Sequence, residues 1–149
     1  MPNNKSAEVD TIRAWWRLEQ AFAAFNADLR RRHDVTGSQL ALLRIIAERQ
    51  PVTIRTLRQE LHWHPASLGQ AVQRLVARSL VLREPSNDDR RMKVLQLTDA
   101  GQSLLQEVPL VGPVRVRQLD TPAEDLVTMR RGFETALEAF ALTRWSPDE

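Results

Sequence analysis

Residues 80–97 change the period of the chain. On either side apolar residues recur at helical spacing, but Leu80-Val-Leu-Arg-Glu84 is strand-like and Pro85-Ser-Asn-Asp-Asp89 is turn chemistry. Arg91-Met-Lys-Val-Leu-Gln-Leu97 then alternates. The pattern predicts one β-hairpin set among helices, and so a fold that is mainly α with a small β-hairpin. What the chain does depends on what that hairpin stands beside.

Upstream, residues 10–32 predict a long amphipathic helix, with Ile12, Trp15, Phe22, Phe25 and Leu29 on one stripe and neither Gly nor Pro between them. Its end, Arg30-Arg31-Arg32, sets positive charge where the helix dipole is negative, which reads as a dipole-matched terminus rather than a nucleic-acid contact. Thr36-Gly-Ser-Gln39 fits a capping box before a helix from about 37 to 49, stopped at Gln50-Pro51. Thr53 is placed to cap a short helix from Ile54 to about Leu61, and Pro65 suits the first position of a fourth helix running to about Ser79. Downstream, Thr98 caps a restarted helix. Pro109, Gly112 and Pro113 interrupt it, and Val114-Arg-Val-Arg117 is expected as a short extended piece. Thr121-Pro-Ala-Glu124 predicts a last helix with Thr121 as its cap and a stripe of Leu126, Met129, Phe133, Leu137 and Phe140. Too little chain remains to cover both terminal stripes within one copy, so a homodimer built from the two ends is expected.

The bulk of the sequence removes several classes of function. With 149 residues the chain can form one domain, or two small lobes sharing a core. It has no cysteine, which excludes disulfides, thiolate catalysis and cysteine-ligated zinc. No apolar run reaches the length of a membrane span. The start MPNNKSAEVD lacks the apolar core of a secretory signal, so the cytoplasm is the expected location. Net charge is only +2, but residues 55–93 carry eight Lys/Arg against four acids, while residues 94–149 carry five against nine. A basic middle and an acidic end suggest that one lobe faces a polyanion.

Helix, helix, short helix, helix, hairpin is the order of a winged helix-turn-helix. On a helical wheel, Leu68, Val72, Leu75 and Val76 form the buried side of the fourth helix, leaving Ala66, Gln70, Gln73, Arg74 and Ala77 opposite. Glutamine reads adenine edges, arginine reads guanine or phosphate, and alanine permits close approach to thymine methyls. The free amides at the helix start, with Ser67, favour a phosphate. At the hairpin tip, Arg90 and Arg91 are suited to a narrow minor groove, with Asp88 holding the Arg90 guanidinium in a bidentate pair.

At this point Asp88-Asp-Arg-Arg-Met-Lys-Val-Leu-Gln-Leu-Thr-Asp-Ala-Gly101 resembles the wing signature of the MarR (multiple antibiotic resistance regulator) family: D-x-R, an alternating strand, then L-T-x-x-G. Val35-Thr-Gly-Ser-Gln39 and Arg74-Leu-Val-Ala-Arg-Ser-Leu-Val81 fit the same family in order and spacing. The resemblance implies a dimeric DNA-binding repressor whose fourth helices enter successive major grooves of a pseudo-palindromic double-stranded operator while the wings reach the flanking minor grooves. It implies that Arg90 is the wing-tip arginine, Asp88 its orienting partner, and Ser67, Gln70 and Arg74 parts of the recognition helix. It further implies release by a small aromatic or lipophilic effector. Residues 35–101 would be the DNA-binding lobe, and 8–34 with 102–145 the helical dimerisation lobe. The chain departs from the family pattern at His64, where serine is common, at Gly69 and Gln70, where a small hydroxyl residue and an arginine are common, and at Pro109–Pro113, which breaks a helix that is usually long.

Two smaller features complete the reading. His62-Trp-His64 holds two of the three histidines, and no cysteine or adjacent third histidine completes a ligand set. His64 is expected to face a phosphate, or to bond locally, in a DNA-facing turn, and Trp63 to pack at the edge of the lobe. Neither metal nor cofactor is expected, and no nucleophile motif suggests catalysis. Trp15, Trp16 and Arg17 could hold an aromatic carboxylate in a cleft between the lobes. The rival readings are a winged-helix module that docks an acidic protein, and a histidine-based metal sensor.

Overall fold

The computed structural model describes residues 4–63 and 65–146, without the side chain of Pro65. Along them run α1 (Asn4–His33), α2 (Gly37–Arg49), α3 (Ile54–Leu61), α4 (Pro65–Ala77), β1 (Val81–Pro85), β2 (Lys93–Leu97), α5 (Asp99–Glu107) and α6 (Ala123–Ala139). Short 3₁₀ turns cover Pro113–Arg117 and Thr143–Trp145.

Local chemistry sets most of the boundaries. Thr36 and Gln39 close the capping box at the start of α2, the Gln39 amide donating to Thr36 Oγ1 at 3.2 Å and the Thr36 amide to Gln39 Oε1 at 3.0 Å. Thr53 caps α3 through the Thr56 amide at 3.1 Å. α4 ends two residues earlier than its periodicity suggests. Ser79 takes a left-handed conformation, φ 56°, and the Leu80 amide returns to the Leu75 carbonyl at 3.0 Å, as in a Schellman stop. α1 begins earlier than its apolar stripe, because nothing in residues 4–9 breaks a helix. Asn4 Nδ2 donates to Glu8 at 3.2 Å and Thr11 Oγ1 to the Ala7 carbonyl at 2.8 Å along its polar first turns.

Two expectations are corrected. Val114–Arg117 is not extended: with Pro113 it forms a 3₁₀ turn whose Val114 is buried, and Arg117 pairs with Glu48 of α2 at 2.7 Å. Thr121 does not cap α6. Pro122 itself takes the non-helical ψ of 138° and stands at the cap position, so the helix starts one residue too late for the threonine side chain to serve.

α2 lies at the centre. Leu40, Leu42, Leu43 and Ile46 are buried on more than one side of it, as expected of a helix enclosed by its neighbours. Around it pack Leu57 of α3, Leu68, Val72 and Leu75 of α4, and Val81 and Leu95 of the hairpin. The strands are antiparallel, with Val81 opposite Leu97 and Pro85 opposite Lys93, and Val52 adds a one-residue bridge to Leu95. The wing is joined to α5 by Thr98, whose hydroxyl donates to the Ser79 carbonyl at 2.6 Å while accepting the Gly101 amide at 3.0 Å. A β-carbon at Gly101 would stand 2.2 Å from the Leu80 carbonyl oxygen, so the L-T-x-x-G pattern has a steric cause. The terminal helices contrast with this core. Trp16, Leu18, Phe133 and Trp145 are each more than half exposed, and no residue of α6 is buried.

Candidate nucleic-acid interface

α4 is held on one side and open on the other. Leu68, Val72 and Leu75 are wholly buried, whereas Ala66, Ser67, Gln70, Gln73, Arg74 and Ala77 are exposed along the opposite side. Val76 is half-buried at the margin. A helix fixed by three apolar anchors offers its polar face without rearrangement, which is what base reading in a groove requires.

The turn that leads into α4 begins at His62, which caps α3 in the left-handed region, φ 51°, its amide donating to the Arg58 carbonyl at 3.1 Å. The His62 side chain is exposed, and Trp63 is half-buried against the edge of the core. His64 lies outside the described residues. Among the described residues no three His, Cys, Asp or Glu side chains converge as a metal site would require.

The wing tip is closed by backbone bonds: the Ser86 amide donates to the Met92 carbonyl at 2.8 Å and the Met92 amide to the Asp89 carbonyl at 3.0 Å. Asp89 Oδ1 accepts the Arg91 amide at 3.0 Å, and the Asp88 amide donates to Ser86 Oγ at 3.3 Å. Asp88, Arg90 and Arg91 are all exposed. The expected Asp88–Arg90 ion pair is not formed among the described residues. The carboxylate that orders the tip is Asp89, and it acts on the main chain rather than on a guanidinium.

Two of the three arginines at the end of α1 are paired locally. Asp28 accepts from Arg31 Nη2 at 2.6 Å and Arg32 Nε at 2.9 Å. The Arg31 hydrogen bond, against some desolvation and with help from Arg32, holds the Asp28 carboxyl below its usual range.

Trp15, Trp16 and Arg17 do not form one cleft between lobes. Trp15 and Trp16, with Ile12, Phe140 and Leu142, line an apolar groove of about 340 Å³ between α1 and the end of α6, where Trp15 meets Phe140 edge-on at 5.5 Å. Arg17 lines a different depression on α1, with Ala14, Leu18, Gln20 and Ala21. Consecutive helical residues point about 100° apart, so three in a row cannot share one narrow site.

Two contacts had no signal in the sequence. Arg78, just past α4, donates to the main-chain carbonyls of His33, at 3.0 Å, and of Asp34, tying the end of α4 to the end of α1. Arg44 of α2 donates through Nη2 to the Val108 carbonyl at 2.8 Å. Its Nε is buried without a partner among the described residues, and burial lowers its pKa below the ordinary arginine value. Both links join residues more than 40 positions apart, so no local pattern announces them.

Comparison with known proteins agrees with this geometry. The MarR family profile matches residues 33–92, which run from the end of α1 to the wing. Solved structures share the fold over most of their length. FabT of Streptococcus pneumoniae, in complex with DNA, is 15% identical with a TM-score of 0.61, covering 91% of this chain and 97% of its own. The transcriptional regulator BldR of Sulfolobus solfataricus is 22% identical, TM-score 0.57, over 91% and 96%. MepR of S. aureus, also in a DNA complex, is 18% identical, TM-score 0.59, over 85% and 96%. No curated protein sequence matches the chain.

Proposed function

From the MarR-family character of the chain, carried by residues 33–92, we propose that it is a sequence-specific transcription regulator of double-stranded DNA. In this reading it is a homodimeric repressor on a pseudo-palindromic operator and performs no catalysis. The observation that carries the reading is α4, whose apolar side is sealed into the core while Ala66, Ser67, Gln70, Gln73 and Arg74 stand open beside an arginine-tipped hairpin. Gln70 and Gln73 read base edges in the major groove, and Ser67 and Arg74 hold phosphate or guanine. Arg90 and Arg91 enter the flanking minor groove. Phosphate contacts give most of the affinity and its salt dependence, and base contacts choose the site. An aromatic or lipophilic effector has its candidate seat in the Ile12–Trp15–Trp16–Phe140–Leu142 groove. Because Arg17 lies elsewhere, that seat suits a neutral ligand better than a carboxylate, and occupancy should quench tryptophan emission.

Selection from a random duplex library tests the reading. The expected outcome is a two-fold symmetric motif with half-sites about one helical turn apart. Gln70→Ala should relax base preference more than it lowers non-specific affinity, by about 1–3 kcal/mol of lost discrimination. Arg90→Ala should weaken binding and reduce any preference for narrow-groove flanks. No enriched motif would favour a protein-docking module, and an unchanged motif with Gln70→Ala would misplace the reading face.

A further inference from the structure

Beside the hairpin lies a cleft of about 350 Å³ lined by Thr53, Ile54, Arg55, Arg83, Met92 and Lys93. The strand register explains why these cations meet. With Val81 opposite Leu97 and Pro85 opposite Lys93, residues 81, 83, 85, 93, 95 and 97 share one face of the hairpin. That face is buried at Val81 and Leu95, where it covers the core. Opposite Leu95 it carries Arg83 and, at the next position on this face toward the tip, Lys93, a diagonal cross-strand pair close enough for long side chains to converge. The Val52–Leu95 bridge brings the start of α3 alongside, which adds Arg55 and Thr53.

Three cations from three elements thus line one cleft that contains no carboxylate. Among the described residues none of the three forms an ion pair, although Arg49, Arg78 and Arg117 of the same chain each have an acidic partner. Like charges gathered without a counter-charge cost free energy in the free protein. A bound anion removes that cost. The positive end of the α3 dipole lies at the same place.

We propose that this cleft is a phosphate seat for the duplex backbone, distinct from the reading face of α4 and from the wing tip, with Arg55, Arg83 and Lys93 as its ligands. The proposal rests on the DNA-binding reading above and adds residues to it. α3 is the first helix of the turn-linked pair, and in such pairs the first helix crosses the sugar–phosphate backbone while the second lies in the groove. Cations at its start and on the adjoining strands therefore sit where the backbone passes. Ile54 and Met92 give the cleft apolar walls, against which the aliphatic stems of the cations can lie.

The test is the salt dependence of duplex binding, measured with full-length wild type, Arg55→Gln, Arg83→Gln and the distant Arg115→Gln as a charge-matched control, each checked for an unchanged melting curve. Arg55→Gln and Arg83→Gln should make the slope of log K against log salt shallower by about 0.9 for each phosphate no longer neutralised, with the order of preferred sequences unchanged. Arg115→Gln should leave the slope as it is. Wild-type binding with a slope that all three variants share would overturn the seat and leave the regulator standing. Loss of sequence choice in Arg83→Gln would make the cleft a base reader and overturn it as well. Absence of any duplex binding by wild type would end both readings. Inorganic phosphate, titrated without DNA, probes a small-anion occupant: saturable binding abolished in Arg83→Gln, with the duplex slope intact, would assign the cleft to that anion instead.

Discussion

Gly101 and Gly69 show how differently one residue type can be held. At Gly101 the start of α5 passes so close to Leu80 that an added β-carbon would stand 2.2 Å from a carbonyl oxygen, a group with no freedom to move aside. Gly101→Ala should therefore destabilise the fold by about 3 kcal/mol or more, toward the upper end of overpacking costs. At Gly69, within α4, an added β-carbon meets nothing within 4 Å. Gly69→Ala should raise stability by about 1 kcal/mol, the ordinary helix preference of alanine over glycine. Urea midpoints of the two variants check the pair, and equal effects would refute the steric account of the wing–α5 joint. The glycine in L-T-x-x-G was visible in the sequence as part of a resemblance, but its cause was not, because the clash is with a residue 21 positions earlier. The Asp88–Arg90 pair failed for the opposite reason. Both residues are local, yet the neighbouring Asp89 holds the Arg91 amide and orders the tip through the main chain, an alternative that residue types alone do not rank.

At the scale of elements, starts and stops were legible where their chemistry is local. Thr36, Thr53 and Thr98 each bond an amide three residues on, and each was readable from spacing. The 3₁₀ turn at Pro113–Arg117 was not, because it is drawn in by Val114 entering the core and Arg117 meeting Glu48, 69 residues earlier. The link between α4 and α1 is of the same kind. Arg78 supplies donors to the carbonyl of His33, the last residue of α1 at the negative end of its dipole, and to that of Asp34 just beyond it, and stands 3.7 Å from the Asp34 carboxylate. Removing it should cost about 1–2 kcal/mol, the scale of a partly exposed hydrogen bond to a charged group. It should also loosen the joint between the helix proposed to read DNA and a helix proposed to make the dimer. Arg78→Ala is thus expected to lower the melting temperature and weaken operator binding without altering the preferred sequence. Arg78→Lys should recover little, since an ammonium cannot reproduce the planar fork across two carbonyls. Full recovery by lysine would reduce the interaction to simple charge.

At the scale of the whole molecule, one half of the chain has a closed core and the other does not. α2, α3, α4 and the hairpin bury most of their apolar side chains, while α1 and α6 leave Val9, Leu18, Met129 and Phe133 exposed. The two stripes were legible in the sequence because their spacing is helical, and each is covered only in part within one copy: Leu29 is buried and Phe25 packs against the core, while Met129 and Phe133 stay exposed. In the proposed homodimer a second copy covers such exposed apolar side chains, and does so by symmetry. Phe133 is 55% exposed, so Phe133→Glu should leave the monomer fold intact while placing a charge in the proposed interface. Wild type is expected to sediment as a dimer and the variant as a monomer with the same circular dichroism. Operator binding should separate the two more sharply than association alone. In the proposed dimer, two linked reading helices would engage two half-sites with an avidity of about 10²–10⁴ over one, so the variant should lose roughly that factor on the full operator and little on an isolated half-site. A monomeric wild type with full operator affinity would break the link between the exposed helices and DNA binding, and with it the proposed reason for the open faces of α1 and α6.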